Sequence, residues 1–242
     1  MYANVNGIKM YYEIFGEGKP LMILWGMGGE IGSFVDKIKE IKKYKLITFD
    51  NRGTGRTDKP NEEYTIEIMA EDAISLLDEL KIQRVNILGI SMGSRIAITM
   101  AAKYPDRVSN LILNVAAAKS VQNSDENSME AYEKLKEVAN NPELLNAMGK
   151  YPPTSTSFLR LFDALASYDG TKYLKEIKSP TLIVNGTQDS STPVTYAEEL
   201  VDHIPNSKLI LVKENHFFIR TKPELLIVPM DKFLSNKMDS ID

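Results

Sequence analysis

The sequence predicts an α/β protein with a mainly parallel central sheet and helices on both faces, and three observations predict it. Apolar runs of strand length alternate with amphipathic runs of helical period four times before residue 116, and the alternation resumes after Pro180. One strand-to-helix junction carries Gly89-Ile90-Ser91-Met92-Gly93, a serine at the apex of a sharp turn. The chain has 242 residues, 43% hydrophobic and 26% charged, which suits one large domain with or without an inserted subdomain.

Tyr2 to Val5 and Ile8 to Phe15 flank Asn6-Gly7, whose tolerance of positive φ favours a type I′ turn, so the chain opens with a β-hairpin at a sheet edge. Leu21 to Trp25 is a continuous apolar run, as expected of a strand covered on both faces. It ends in Gly26-Met27-Gly28-Gly29, a loop whose backbone can approach a ligand or serve as a plain flexible connection. No Gly-Lys-Ser/Thr follows and the glycine spacing is not that of a dinucleotide site. Phe34 to Tyr44 reads as a helix with a lysine-rich solvated face, and Lys45 to Phe49 as the next strand.

The polar loop Asp50 to Thr57 follows, in which an Asp50/Arg52 pair is expected to tie down the turn rather than to do chemistry. Thr65 to Leu80 is an amphipathic helix with apolar residues at steps of three and four. It leads to the strand Val85 to Leu88, the serine turn, and a helix over Ser94 to Tyr104 that Pro105 stops. Val108 to Val115 is another buried strand. From Ala116 to about Ser167 the rhythm changes to helical runs (Ser128 to Ala139, Leu144 to Met148, Phe158 to Ala166) without a strand. The expected organisation is a core domain of residues 1–115 and 168–242, with 116–167 as a helical cap over the site or a peripheral excursion. The core resumes with the strand Thr181 to Asn185, the helix Val194 to His203, the strand Lys208 to Val212, the loop Lys213 to Thr221 and the helix Pro223 to Ser235.

Composition narrows the function. A net charge of −4 gives no basic footprint for nucleic acid. The absence of cysteine excludes disulfides, thiolate metal sites and a cysteine nucleophile, and two histidines argue against a His-rich metal centre. No run approaches a membrane span and no signal-peptide pattern is present, so a cytoplasmic protein with no membrane role is the expectation.

The turn at Ser91 holds its residue in a strained conformation, and glycines two before and two after remove colliding side chains. The hydroxyl is pushed above the sheet, and the Met92 amide lies at a helix N-terminus where an oxyanion would form. A capping serine in an ordinary βα turn is the alternative. A serine nucleophile needs a base, and the base needs an orienting acid. His203 lies near a helix end, where histidine needs no special role; His216 follows a strand, at the sheet edge where Ser91 emerges. Asp189 also follows a strand, and loops after strands of a parallel sheet share one end, so Ser91, Asp189 and His216 converge. An Asx turn or helix N-cap is the other role open to Asp189.

With these residues in hand the chain resembles the α/β-hydrolase fold family over essentially its whole length. Ser91, Asp189 and His216 come in that family's chain order, Asp50-x-Arg52-Gly53-x-Gly55 resembles its structural turn, and Gly186-x-x-Asp189-x-x-x-Pro193 its acid loop. Trp25-Gly26-Met27 stands where the family usually has His-Gly-x, which implies the Met27 amide as second oxyanion donor beside that of Met92. Departures are Trp25 for histidine, Thr57 for serine, and Ser94 and Asn215 for glycines.

Within the family the pattern is similar to small capped carboxylesterases and 3-oxoadipate enol-lactonase-like enzymes. The resemblance implies cleavage of a small ester or lactone through an acyl-enzyme, with no cofactor and no metal. The same fold hosts perhydrolases with this triad, and hydrolase-like ligand-binding proteins. Trp25, Met27, Met92, Phe217 and Phe218 surround the nucleophile, so the expected pocket is apolar, pliable and without fixed charge, and suits acyl groups of short to medium length.

Overall fold

The computed structural model describes residues 1–31, 41, 43–119 and 126–236. Eight strands form one sheet: β1 (Tyr2–Val5), β2 (Ile8–Phe15), β3 (Lys19–Leu24), β4 (Tyr44–Phe49), β5 (Val85–Ile90), β6 (Val108–Asn114), β7 (Thr181–Gly186) and β8 (Ser207–Val212), in the order β1-β2-β4-β3-β5-β6-β7-β8. β1 is indeed an edge strand, turned onto β2 by Asn6 and Gly7 at φ 44° and 79°. β2 pairs antiparallel with β4, and every pairing from β4 across to β8 is parallel. Parallel strands buried on both faces carry continuous apolar stretches, as β3 does at Leu21–Leu24, β5 at Ile87–Ile90 and β7 at Leu182–Val184.

The helices α1 (Ile66–Glu79), α2 (Met92–Lys103) and α6 (Val194–His203) bury their apolar sides in one core layer, which also takes Met22 and Leu24 of β3. Leu21 and Ile23, pointing the other way, join a second layer closed by Leu226, Met230 and Leu234 of α8 (Glu224–Leu234). Thr65 caps α1 by accepting from the Ile68 amide. The helix expected over Phe34 to Tyr44 lies mostly outside the described residues, and Tyr44 opens β4.

Between β6 and β7 lie α3 (Glu126–Asn140), α4 (Pro142–Asn146) and α5 (Ser155–Ser167), followed by a 3₁₀ segment, Thr171–Glu176. This helical segment is fastened to the sheet-bearing part at defined points: Ser157 Oγ donates to the Gly53 carbonyl at 2.8 Å, and the Tyr168 and Thr99 hydroxyls are 2.8 Å apart. The loop after β8, expected to be irregular to Thr221, contains one helical turn, α7 (Phe218–Thr221).

Asp50 and Arg52 do order their loop, but not by pairing with each other. Arg52 is buried and makes a bidentate contact with Asp72 of α1, at 2.6 and 2.7 Å, and a third bond to Glu62. Asp72 also accepts from Asn6, which ties the hairpin turn to α1. Asp50 instead accepts from the amides of Ile31 and Arg56, both at 2.8 Å. Gly55, at φ 53°, is required here because a Cβ would lie 2.2 Å from the Asp50 carboxylate. No helix among the described residues is long and apolar enough to cross a membrane.

Candidate active site

β5 delivers the chain to Ser91, whose backbone sits at φ 54° and ψ −117°, and α2 begins at the next residue. Two contacts explain the flanking glycines. A Cβ on Gly89 would lie 2.6 Å from the Gly93 carbonyl oxygen, and one on Gly93 would lie 2.1 Å from the Leu24 carbonyl oxygen at the end of β3. The Ser91 amide donates to the Asn114 carbonyl of β6 at 3.0 Å, and Ser94, amide and hydroxyl, donates to the Ser91 carbonyl. Ser94 at the position of a common glycine therefore adds a bond without disturbing the turn.

The two loops after β7 and β8 bring Asp189 and His216 to this point. They touch through the backbone: Gln188 N–H donates to the Glu214 carbonyl at 3.0 Å, and a Cβ on Gly186 would lie 2.2 Å from that same oxygen. His216 Nε2 is 3.0 Å from Ser91 Oγ, and His216 Nδ1 is 2.7 Å from Asp189 Oδ2. The carboxylate can only accept, so Nδ1 carries the ring proton and Nε2 presents its lone pair to the serine hydroxyl. His203 is remote from this arrangement and bonds to the carbonyl of Glu199 in its own helix.

Asp189 makes both sets of bonds that its position left open. Oδ1 accepts from the Ser191 and Thr192 amides at 2.8 Å, an Asx-type turn, while Oδ2 takes His216 and the Thr192 hydroxyl at 2.7 Å. Burial disfavours its charge, but the bonds from His216 and Thr192 outweigh that and hold its pKa below the ordinary carboxylate value. Thr192 was legible only as loop; its signal was a hydroxyl three residues after the acid. Its carbonyl is fixed in turn by Asn185 Nδ2 at 2.9 Å.

The Gly26 to Gly29 loop lies against Ser91, with a Cβ on Gly26 meeting Ser91 Cβ at 3.4 Å. The amides of Met27 and Met92 donate to no protein acceptor among the described residues. Trp25, buried, donates from Nε1 to Thr48 Oγ1 at 2.7 Å. Thr57 keeps the hydroxyl of the serine it replaces, donating to the Asp50 carbonyl and accepting from the Tyr11 amide. Asn215, before His216, accepts from the Phe217 amide through Oδ1.

A cavity of about 940 Å³ opens over Ser91 and His216. Trp25, Met27 and Phe217 line it as expected, and Leu135, Met148, Phe162 and Leu165 of the helical segment supply the facing wall. Phe218 does not line it: the residue opens α7 with its side chain packed in the second core layer, opposite in direction to its neighbour. The expectation of a wall without fixed charge also fails, because Arg95, Lys119 and Arg220 line the cavity. No group of acidic residues and histidines able to hold a metal occurs among the described residues.

Comparison with known proteins identifies the fold family. Residues 19–166 match the family model described as alpha/beta hydrolase fold. The chain is similar to the human (Homo sapiens) serine hydrolase BPHL, 29% identical over 87% of this chain and 77% of that protein. It is 25% identical to 3-oxoadipate enol-lactonase 2 of Acinetobacter baylyi, over 90% of each chain. Among solved structures, the esterase EaEST from Exiguobacterium antarcticum superposes with a TM-score of 0.86 at 25% identity, covering 97% of this chain and 99% of that one.

Proposed function

This chain belongs to the α/β-hydrolase fold family, and from that premise we propose that it is a serine hydrolase cleaving carboxylic esters or lactones of short to medium size. The observation that carries the proposal is the unbroken line of hydrogen-bonding distances from Ser91 Oγ to His216 and from His216 to Asp189. Similarity to proteins named as a serine hydrolase, an enol-lactonase and an esterase supports the same reading.

In this mechanism Ser91 Oγ attacks the substrate carbonyl while its proton passes to His216 Nε2. The positive charge that forms on the imidazole is stabilised by Asp189, which stays ionised and keeps the ring in the productive tautomer. The Met27 and Met92 amides, having no other acceptor, hold the oxyanion of the tetrahedral intermediate. Collapse breaks the carbonyl–alkoxide bond, His216 protonates the leaving alcohol, and water repeats the sequence on the acyl-enzyme. Residues 1–115 and 168–242 act as the catalytic core and 116–167 as a cap, since the facing wall of the cavity comes from the latter.

The test is covalent. Treatment with an alkyl fluorophosphonate is expected to label Ser91, read by peptide mass spectrometry, and Ser91→Ala is expected to abolish turnover of a p-nitrophenyl ester. Labelling at another residue, or undiminished hydrolysis by the variant, sinks the assignment.

A further inference from the structure

Thr192 grips the Asp189 carboxylate at both oxygens: its amide donates to Oδ1 at 2.8 Å and its hydroxyl to Oδ2 at 2.7 Å. With the Ser191 amide on Oδ1 and His216 Nδ1 on Oδ2, four donors meet a group that offers about four lone-pair positions. A carboxylate clasped in this way cannot rotate about its bond to Cβ, so Oδ2 stays aimed at the imidazole. Thr192 Oγ1, Asp189 Oδ2 and His216 Nδ1 close a triangle with sides of 2.7, 2.7 and 3.4 Å. The single hydroxyl proton is committed to Oδ2, so Oγ1 faces Nδ1 with a lone pair, which suits a ring nitrogen that carries a proton.

The hydroxyl is itself held in place. Thr192 is 4% exposed and Asp189 5%, which leaves solvent little access to substitute for it. Branching at Cβ restricts the side chain to few rotamers. The Thr192 carbonyl accepts from Nδ2 of Asn185, a buried residue of β7, at 2.9 Å, and Pro193 fixes the backbone that follows. Burial works against the charge of Asp189, and the bonds that nevertheless keep its pKa below the ordinary carboxylate value come from His216 and then from the Thr192 amide and hydroxyl.

We propose that Thr192 is a positioning residue for the hydrolysis assigned to Ser91: its hydroxyl fixes the Asp189 carboxylate toward His216 and takes up part of the charge on Oδ2, which sets the basicity of the imidazole. The inference rests on the serine-hydrolase reading above and deepens it. Without the hydroxyl, Oδ2 has His216 as its one donor, so the carboxylate's charge falls more fully on the ring and favours its protonated form. The carboxylate is also free to turn, which lowers the fraction of imidazole in the productive orientation. The other charged and titratable groups near His216 are Glu214, bonded to Lys222, and Arg220, over the Phe217 ring, with Arg95, Tyr196 and Lys119, the last bonded to Glu199, elsewhere in the cavity lining. All of them are common to the variants below, so a difference between variants reports the hydroxyl.

The test is steady-state hydrolysis of p-nitrophenyl butyrate across pH by wild type, Thr192→Val, which keeps the shape and lacks the hydroxyl, and Thr192→Ser, which keeps the hydroxyl. For Thr192→Val, kcat is expected to fall about three- to tenfold with KM moving less, as for the loss of one neutral hydrogen bond. The acid limb of kcat/KM is expected to move up by roughly 0.5–1 pH unit. Thr192→Ser is expected to keep the wild-type limb and most of kcat. In an Asp189→Asn background the valine change is expected to cost less than about twofold, because the charge that the hydroxyl shares is gone. A hydroxyl that only braced the loop would lower Tm and leave the acid limb in place, and that result overturns the inference. An equal fall in the Asp189→Asn background, or a serine variant as slow as the valine one, overturns it too. Should Thr192→Val not fold, the serine variant decides: a wild-type limb with most of kcat supports the role, and a displaced limb or a several-fold loss refutes it. Fluorophosphonate labelling and ester turnover in the wild type separate the two levels. Both present with Thr192→Val unaltered overturns this role alone, whereas both absent removes the serine-hydrolase reading and this inference with it.

Discussion

The Glu30 carboxylate accepts a hydrogen bond from the Lys150 amide at 2.7 Å, closing a contact between the end of the Gly26 to Gly29 loop and a segment 120 residues further along. Its second oxygen takes the Tyr151 amide at 3.1 Å, and Gly149 beside it has no room for a Cβ, which would lie 2.6 Å from Glu30 Oε1. Gly28, at φ 70°, lies close to Met148, whose Cε a Cβ there would meet at 3.0 Å.

Glu30 is buried, so removing its acceptors leaves two amides without partners. Glu30→Ala is expected to cost roughly 1–3 kcal/mol and to lower Tm by several degrees. Because the same contact fixes the loop bearing the Met27 amide, kcat is expected to fall while KM moves less. Differential scanning calorimetry and steady-state kinetics read the two effects, and an unaltered Tm refutes the clamp.

For Asp189 the expectation concerns activity and acid stability together. Asp189→Asn and His216→Ala are each expected to lose on the order of 10³-fold or more in kcat, as other triads do. Since the folded pKa of Asp189 is depressed, the unfolded chain binds more protons in the window between the two values. Its stabilising contribution is thus fully present above the ordinary aspartate pKa of about 3.9 and lost as pH falls through the lower folded value. Chemical denaturation at several pH values checks this: the gap between wild type and Asp189→Asn is expected to narrow as pH falls below about pH 4.

Trp25 is held by its bond to Thr48 and takes no part in the proton transfers proposed for Ser91 and His216. Trp25→His is expected to change KM and substrate preference while leaving the pH dependence of kcat as it is. A new ionisation in the kcat profile contradicts that outcome.

Acyl length provides a measure of the cavity. At about 940 Å³ the cavity is within the range of small-molecule sites, and each methylene buried in it contributes roughly 0.8 kcal/mol until the space is filled. Among neutral p-nitrophenyl esters kcat/KM is expected to climb through short and medium acids and to fall for long ones. A steady rise to palmitate, measured below micelle formation, refutes it.

The elements that position Ser91, Asp189 and His216 were legible because each rests on local rules. The hairpin follows from Asn6-Gly7, the turn from glycines flanking Ser91, and the helix stop from Pro105. What stayed hidden depends on direction and distance. Phe217 and Phe218 are neighbours in sequence, yet one lines the cavity and the other packs in the core, since a single helical turn sends them different ways. Arg95 in sequence is one more charge on a helix, and only the placement of the helical segment opposite it makes a cavity wall. Glu30 and Arg52 likewise find partners that no local pattern names.

Ser91 at φ 54° occupies backbone space in which a side chain costs of order 1–3 kcal/mol. Glycine would occupy it without that cost, so a chain selected for persistence alone would drift to glycine at position 91. The serine thus marks a standing conflict between durability and use. A search of variants for heat resistance, run without an activity screen, is expected to admit glycine at position 91.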